Sequence, residues 1–458
     1  MAKNVLPGKV GYLPMQEPSE SYNALTNRAQ GHFSCKDAAG NARNYAGDVG
    51  NLYHLSGATW SDISKAATTY TTPPTGFWEF TQWNDTVIAV NGSEVPQRAS
   101  LGATAFVDLG GAPPVSKHIA VVKDFVVLGN TASGPNHLRW SAFQNSESYT
   151  ITTATQADEQ FLYGDGGGIQ RIVGGEFGTI FQDRQLVRMQ YVGPPVIFQF
   201  EVVDRNRGSL NAAGVIPVGD LTFFMSDSGF FVWDGSRSHP IGDQKIDRYF
   251  FNDVDFSYIE RVYGGADVER KIAMWIYPGE GSVSGACNKY LAYNWGVTRW
   301  STGEINAEIL CQFLSPGFTM DDIDGFGTVD TIGISFDSRQ WQGGQFSFGS
   351  FSTNHKLATF SGDVLAATVD TGEATLKGGV RAFIRGTRPI VEGGAATVAV
   401  GSRNLLSSAS SFMTAVSQRD SGYCPQRVDA RYNRFRIQSS AFTSIIGVEV
   451  DWDESGAR

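Results

Sequence analysis

The chain has 458 residues, with 36 Lys and Arg against 46 Asp and Glu, a formal net charge of −10 and a pI of about 5.2. Hydrophobic residues make up 41%, aromatics 12% and charged residues only 18%, and the 53 glycines supply what many tight turns require. This balance argues against a sequence-reading DNA binder, which carries a clustered basic face. It leaves room for a protein past which DNA slides, since an acidic wall gains no counterion-release affinity. No uncharged apolar run reaches membrane-spanning length, because Lys123 and Asp124 interrupt HIAVVKDFVVLGN, and the first twenty residues hold no signal-peptide core. The expectation is a protein made and assembled in the cytoplasm, with no membrane partner.

Residues 1–45 are polar and punctuated by Pro7, Pro14 and Pro18, and they read as an extended N-terminal arm. From residue 46 to 376 strand-like apolar runs end in tight Gly, Asp or Asn turns and resume as strands. Tyr45–Trp60, Phe80–Val90, Ile119–Leu128, Ile172–Met189, Val215–Trp233 and Leu357–Ala366 are the copies. Those starting at Phe80, Ile119, Ile172 and Val215 are spaced by roughly 40–50 residues, the period of one four-stranded propeller blade. A single blade cannot bury both faces, so the pattern predicts an all-β chain with a β-propeller of about six blades. Lys271–Tyr277 and Lys289–Trp295 read as strands of a longer blade, and a Gly/Asp-rich stretch blurs the period between Gly303 and Phe351. Residues 377–458 read as a C-terminal β domain. Its strands are Gly379–Val391, Ala396–Val400, Arg427–Gln438 and Gly447–Trp452, and they form either a small β-sandwich or an extension closing the ring on the first blade. In Arg427–Gln438, Phe435 and Ile437 alternate with Arg434 and Arg436, the pattern of a strand with one wet face.

Several fragments approach motifs and fail. Met320–Gly325 has Met320 at the first ligand position of a calcium loop and Thr331 at the twelfth, where a Glu is needed. Gly164–Ile169 lacks the third glycine of a dinucleotide fingerprint and opens onto a strand, so it reads as an inter-blade loop. Gly281–Gly285 puts Val283 where a nucleophile elbow needs Ser. Gly57–Trp60 matches the last half of an Asp-box hairpin but has Leu55 in place of the Asp, and Ser226–Gly229 is a hairpin turn. Cys35, Cys287, Cys311 and Cys424 are scattered without metal-ligand spacing and read as buried hydrophobes. Arg381, Arg385 and Arg388 could bind an anion but read rather as the polar face of a strand paired with acidic neighbours at an interface, and Asp321, Asp322, Asp324 and Asp330 read as a solvated loop. No catalytic, cofactor-binding or metal-ligating residue is assigned, and no cofactor is expected.

A resemblance adds to this reading. The run IVGGEFG at residues 172–178, continuing through Ile180-Phe181-Gln182 to Tyr191-Val192-Gly193-Pro194-Pro195, is similar to a stretch found in virion proteins of tailed bacteriophages. Val126–Asn130, Gly229–Gly235, Ile241–Arg248 and Phe336–Trp341 fit the same pattern. In length and repeat content the chain resembles the tail nozzle proteins of short-tailed phages, also called packaged-DNA stabilisation proteins. That resemblance implies a non-enzymatic propeller subunit of the virion tail, assembled in the host cytoplasm. Six copies would form a ring below the portal and adaptor, retaining the genome and conducting it during ejection. Two other classes stand beside it: a tail-tip module binding a host-surface receptor, and a glycan-cleaving propeller enzyme built on Asp321, Asp322 or Asp324.

Overall fold

The computed structural model describes residues 1–315, 344–378 and 380–456. Apart from one short helix, Asp247–Asp253, and a 3-10 turn at Phe256–Arg261, its regular elements are β-strands. Five sheets of four antiparallel strands follow one another along the chain. Blade 1 spans residues 31–62, blade 2 79–108, blade 3 116–161, blade 4 169–205 and blade 5 216–240. Blade 6 contains Tyr263–Asp267, Ile272–Tyr277, Cys287–Asn294 and the first half of Arg299–Leu314. Each blade is apolar on both faces because it is sandwiched between two neighbours. Val87 and Ala89 face one core while Ile88 and Val90 face the next, as alternation along a strand dictates.

The described residues form seven blades rather than about six. The second half of Arg299–Leu314 leaves blade 6 and becomes the innermost strand of blade 7, pairing with Phe346–Ser352, then Lys356–Val364. The fourth strand is Gln16–Ala24, from the other end of the chain. Two features hid this blade. Its first strand has no turn separating it from the preceding one, and its last lies some 330 residues away in sequence. The segment Leu357–Ala366 is also not a hairpin: Ser361–Asp363 form an irregularity inside one strand, where the register shifts against Gln16–Ala24.

The ring closes between blades 7 and 1. Buried Asn44 donates to the Leu314 carbonyl at 2.8 Å and accepts from the Leu314 N–H at 3.0 Å. Tyr22, Trp60, Phe313 and Phe351 pack across the same seam.

Residues 1–45 are therefore not an extended arm, and residue 45 is not a boundary. Gly31–Lys36 and Ala42–Gly47 are the first two strands of blade 1, and the residues before them are stitched into both lobes. The C-terminal lobe is a sandwich. One sheet contains Ala2–Lys3, Ala367–Asp370, Tyr432–Ser439 and Thr397–Arg403; the other contains Val5–Pro7, Tyr12–Pro14, Ser444–Gly456, Arg381–Glu392 and Cys424–Ala430. The stretch read as one strand over Arg427–Gln438 is two, which switch sheets at Arg431. Phe435 and Ile437 point inward as their alternation predicts. Ala2–Lys3 pairs in parallel with the blade 6 strand at Thr302 and antiparallel with Ala367–Asp370, so one continuous sheet runs through both lobes. The propeller sequence ends near Leu365 rather than at residue 376, and the ring is closed by the N-terminal strand, not by the C-terminal ones.

Candidate functional site

The first strand of every blade runs beside the propeller axis, and together the seven enclose a channel of about 600 Å³. Gly264 and Gly265 of blade 6 let Ile216 of blade 5 and Leu310 of blade 7 approach, where a Cβ would stand 2.5 and 2.8 Å away, while Phe33, Phe77, Tyr263 and Phe346 give the channel an aromatic lining. Phe77, just before blade 2, and Tyr263 of blade 6 meet with ring centroids 5.5 Å apart and planes tilted by 59°. Rings from opposite sides of the axis that meet at this distance leave no passage for a B-form duplex, whose major groove alone is about 12 Å wide.

Three blades contribute a charged cluster to this channel. Glu79 of blade 2 meets His118 Nδ1 of blade 3 through Oε2 at 2.9 Å and Arg171 Nε of blade 4 through Oε1 at 3.4 Å. The Glu79 and His118 side chains are each only 6% exposed. A carboxylate so placed has the His118 ring on one oxygen and the Arg171 guanidinium near the other, and it ties three blades together. At the same end lie Lys117 and Glu260, which are unpaired among the described residues. The protein mass around Glu260 holds its carboxyl above the ordinary range, and Asp183 adds to this, while Lys117 and His118 oppose it. Burial pushes the Tyr263 hydroxyl up to about 12 and lowers His32 to about 3. His32 therefore stands neutral against Trp60 and Phe351, with no hydrogen-bond partner for Nε2 among the described residues. The arrangement offers an aromatic hollow with Lys117 and Glu260 among its lining residues.

Of the residues singled out from the sequence, Cys311 lines this channel, and so do Asn130 and Val215 to Pro217 from the repeat and resemblance segments. All four cysteines are free and buried, and burial raises each thiol above its ordinary value. Arg381 and Arg385 do pair with acidic neighbours, Arg381 with Asp429 at 3.1 Å and Arg385 with Asp453, while Arg388 lies over the Tyr423 ring. These contacts are within the sandwich. Gly164–Gly168 connects blades 3 and 4, held by Gln182 and Asp183: Gly168 N–H donates to Asp183 Oδ2 at 2.7 Å. Ser226–Gly229 is the blade 5 hairpin turn and Gly57 a turn residue of blade 1. Met320–Gly325, Thr331, the four aspartates at 321, 322, 324 and 330, and Phe336–Trp341 lie outside the described residues. Among the described residues no group of three or more His, Cys, Asp or Glu is placed to hold a metal ion, and no helix is long and apolar enough to cross a membrane. The channel cluster was not legible in sequence because Glu79, His118 and Arg171 become neighbours only when three blades pack. Their shared position at the start of a blade's first strand was the available signal.

No family model matches the chain, and no curated protein does. Solved structures similar to it include YCF48 bound to a D1 peptide, at 10% identity over 66% of this chain and 94% of that one, with a TM-score of 0.41. The extracellular domain of BT4673 from B. thetaiotaomicron matches at 10% identity over 91% of this chain and 59% of that one, with a TM-score of 0.43. An exo-beta-1,3-galactanase from Phanerochaete chrysosporium matches at 12% identity over 96% of this chain and 99% of that one, with a TM-score of 0.29. By the topology of its own sheets the chain is an all-β protein built on a β-propeller.

Proposed function

We propose that the protein is a non-enzymatic structural subunit of a bacteriophage tail, forming a nozzle-type ring that retains packaged DNA and conducts it during ejection. The observation that carries this reading is the sheet that runs unbroken from blade 6 into the sandwich through Ala2–Lys3. It welds two lobes into one block, as a load-bearing ring component needs. The phage resemblance of residues 172–195 supplies the virion context, and its segment IVGGEFG has a structural use in this fold. A Cβ on Gly174 would stand 2.1 Å from the Val121 carbonyl oxygen, so the glycine allows blades 3 and 4 to approach. Since the propeller's own channel is too narrow for a duplex, the DNA path belongs between copies. Electron microscopy of virions carrying a tagged copy tests the reading. A ring of this subunit on the tail axis is expected; a chain that is monomeric and absent from particles overturns it.

The aromatic hollow with Lys117 and Glu260 in its lining favours a second reading, a tail-tip module that binds a host-surface ligand. Specific binding of host cells by the isolated chain, reduced by Lys117→Ala, would support it. The glycan-cleaving alternative rests on aspartates outside the described residues.

A further inference from the structure

Two exposed apolar patches lie on different lobes. The first is on the rim of blades 3 and 4, where Phe143, Phe177, Val192 and Val196 are all exposed, Val196 at 60%. Phe143 stacks on Tyr191 with centroids 6.4 Å apart and planes within 14°, and Phe125 touches both rings, so this is a packed surface. Beside it runs the outer strand of blade 4, Ile197–Arg205. It has nine residues, as has the outer strand of blade 7, where the outer strands of blades 1, 2, 3 and 5 have four, two, four and three. Among the described residues it pairs only with its inner neighbour. Long open edges are what soluble folds avoid unless something covers them. The second patch is the sandwich loop carrying Leu405 and Leu406, 61% and 60% exposed, with Met413 nearby. Arg403 donates to the Leu406 and Ser408 carbonyls at 2.6 and 3.1 Å, which fixes this loop in place.

Charge separates the two ends as well. Residues 1–366 carry 25 Lys and Arg against 37 Asp and Glu, whereas residues 367–458 carry 11 against 9. Glu201 on the open strand and Arg431 beside the loop, whose N–H donates to Asn404 Oδ1 at 3.2 Å, have side chains unpaired among the described residues. An acidic lobe bearing an apolar rim and a mildly basic lobe bearing an apolar tip fit each other head to tail. That is the heterologous contact from which closed rings are made.

We propose that the rim of blades 3 and 4 in one copy receives the Leu405–Leu406 tip of a second copy, with Glu201 facing Arg431. The inference rests on the ring-forming reading above and names its interface. Mass photometry of the full chain tests it. Val196→Asp and Leu406→Asp should each weaken self-association by about tenfold or more and leave the 49.6 kDa monomer dominant. Glu201→Arg should weaken assembly, and adding Arg431→Glu to the same chain should restore it. Mixing separately tagged Val196→Cys and Leu406→Cys chains should give a disulfide-linked mixed dimer under mild oxidation, a readout that survives poor folding of the Asp variants. A wild-type ring unaffected by these changes, with no mixed cross-link, overturns this interface but not the ring. A Leu406→Cys chain that cross-links only with itself shows a two-fold contact and overturns the head-to-tail arrangement. A wild-type chain monomeric at every soluble concentration overturns both readings.

Discussion

Glu79, His118 and Arg171 show how single residues gain their meaning from neighbours contributed by other blades. Glu79→Ala removes the partner that His118 and Arg171 share in a mostly buried site, and thermal melts should show a loss of about 3 kcal/mol; Glu79→Gln, which keeps a hydrogen-bond acceptor, should lose less. His32 gives a pH dependence with a definite sign. Its folded-state value of about 3 lies below the ordinary histidine range, so between the two the unfolded chain binds the extra proton. Stability should therefore fall as pH drops below about 6.5, by at most about 1.4 kcal/mol per pH unit from this group. His54, lowered to about 4 by burial and by Arg43, adds in the same direction. Denaturant titrations from pH 7 to 4 check this, and His32→Gln should flatten the slope. Gly174 makes the opposite point, because its value lies in an absent side chain. Gly174→Ala should cost about 1–3 kcal/mol through the clash with Val121, read as a lowered denaturation midpoint.

At the scale of elements, the hairpins were legible because a two-residue period and a turn are local properties. Lys123-Asp124 and Gly219-Asp220 are turns as their residue types dictate, and the strands on either side follow. The strands at Gln16–Ala24 and Ala2–Lys3 were not legible: they are short or polar, and they owe their conformation to partners more than 290 residues away. Their role makes the N-terminal segment a clasp. A chain lacking residues 1–24 would lose the outer strand of blade 7 and three sandwich strands at once. It should show no single cooperative unfolding transition by circular dichroism and should be cut rapidly by protease. The milder Val5→Ala, at a fully buried position, should retain the transition and cost about 2 kcal/mol.

For the whole molecule, the acidic propeller lobe bears on how the protein meets nucleic acid. Bound duplex would have to displace few counterions and overcome like-charge repulsion, so the purified chain should show no retention of DNA in gel shifts at about 150 mM salt. Tight, salt-sensitive binding would contradict a wall past which DNA slides. By itself the sequence determined the fold class and most of the blade strands, since alternation, turn chemistry and a repeat near 45 residues are written into neighbouring residues. Only the tertiary structure decided the seventh blade, the sandwich completed by the N-terminus and the Glu79–His118–Arg171 cluster. Each of these joins residues far apart in the chain, and no local pattern specifies which distant strand will supply the missing partner.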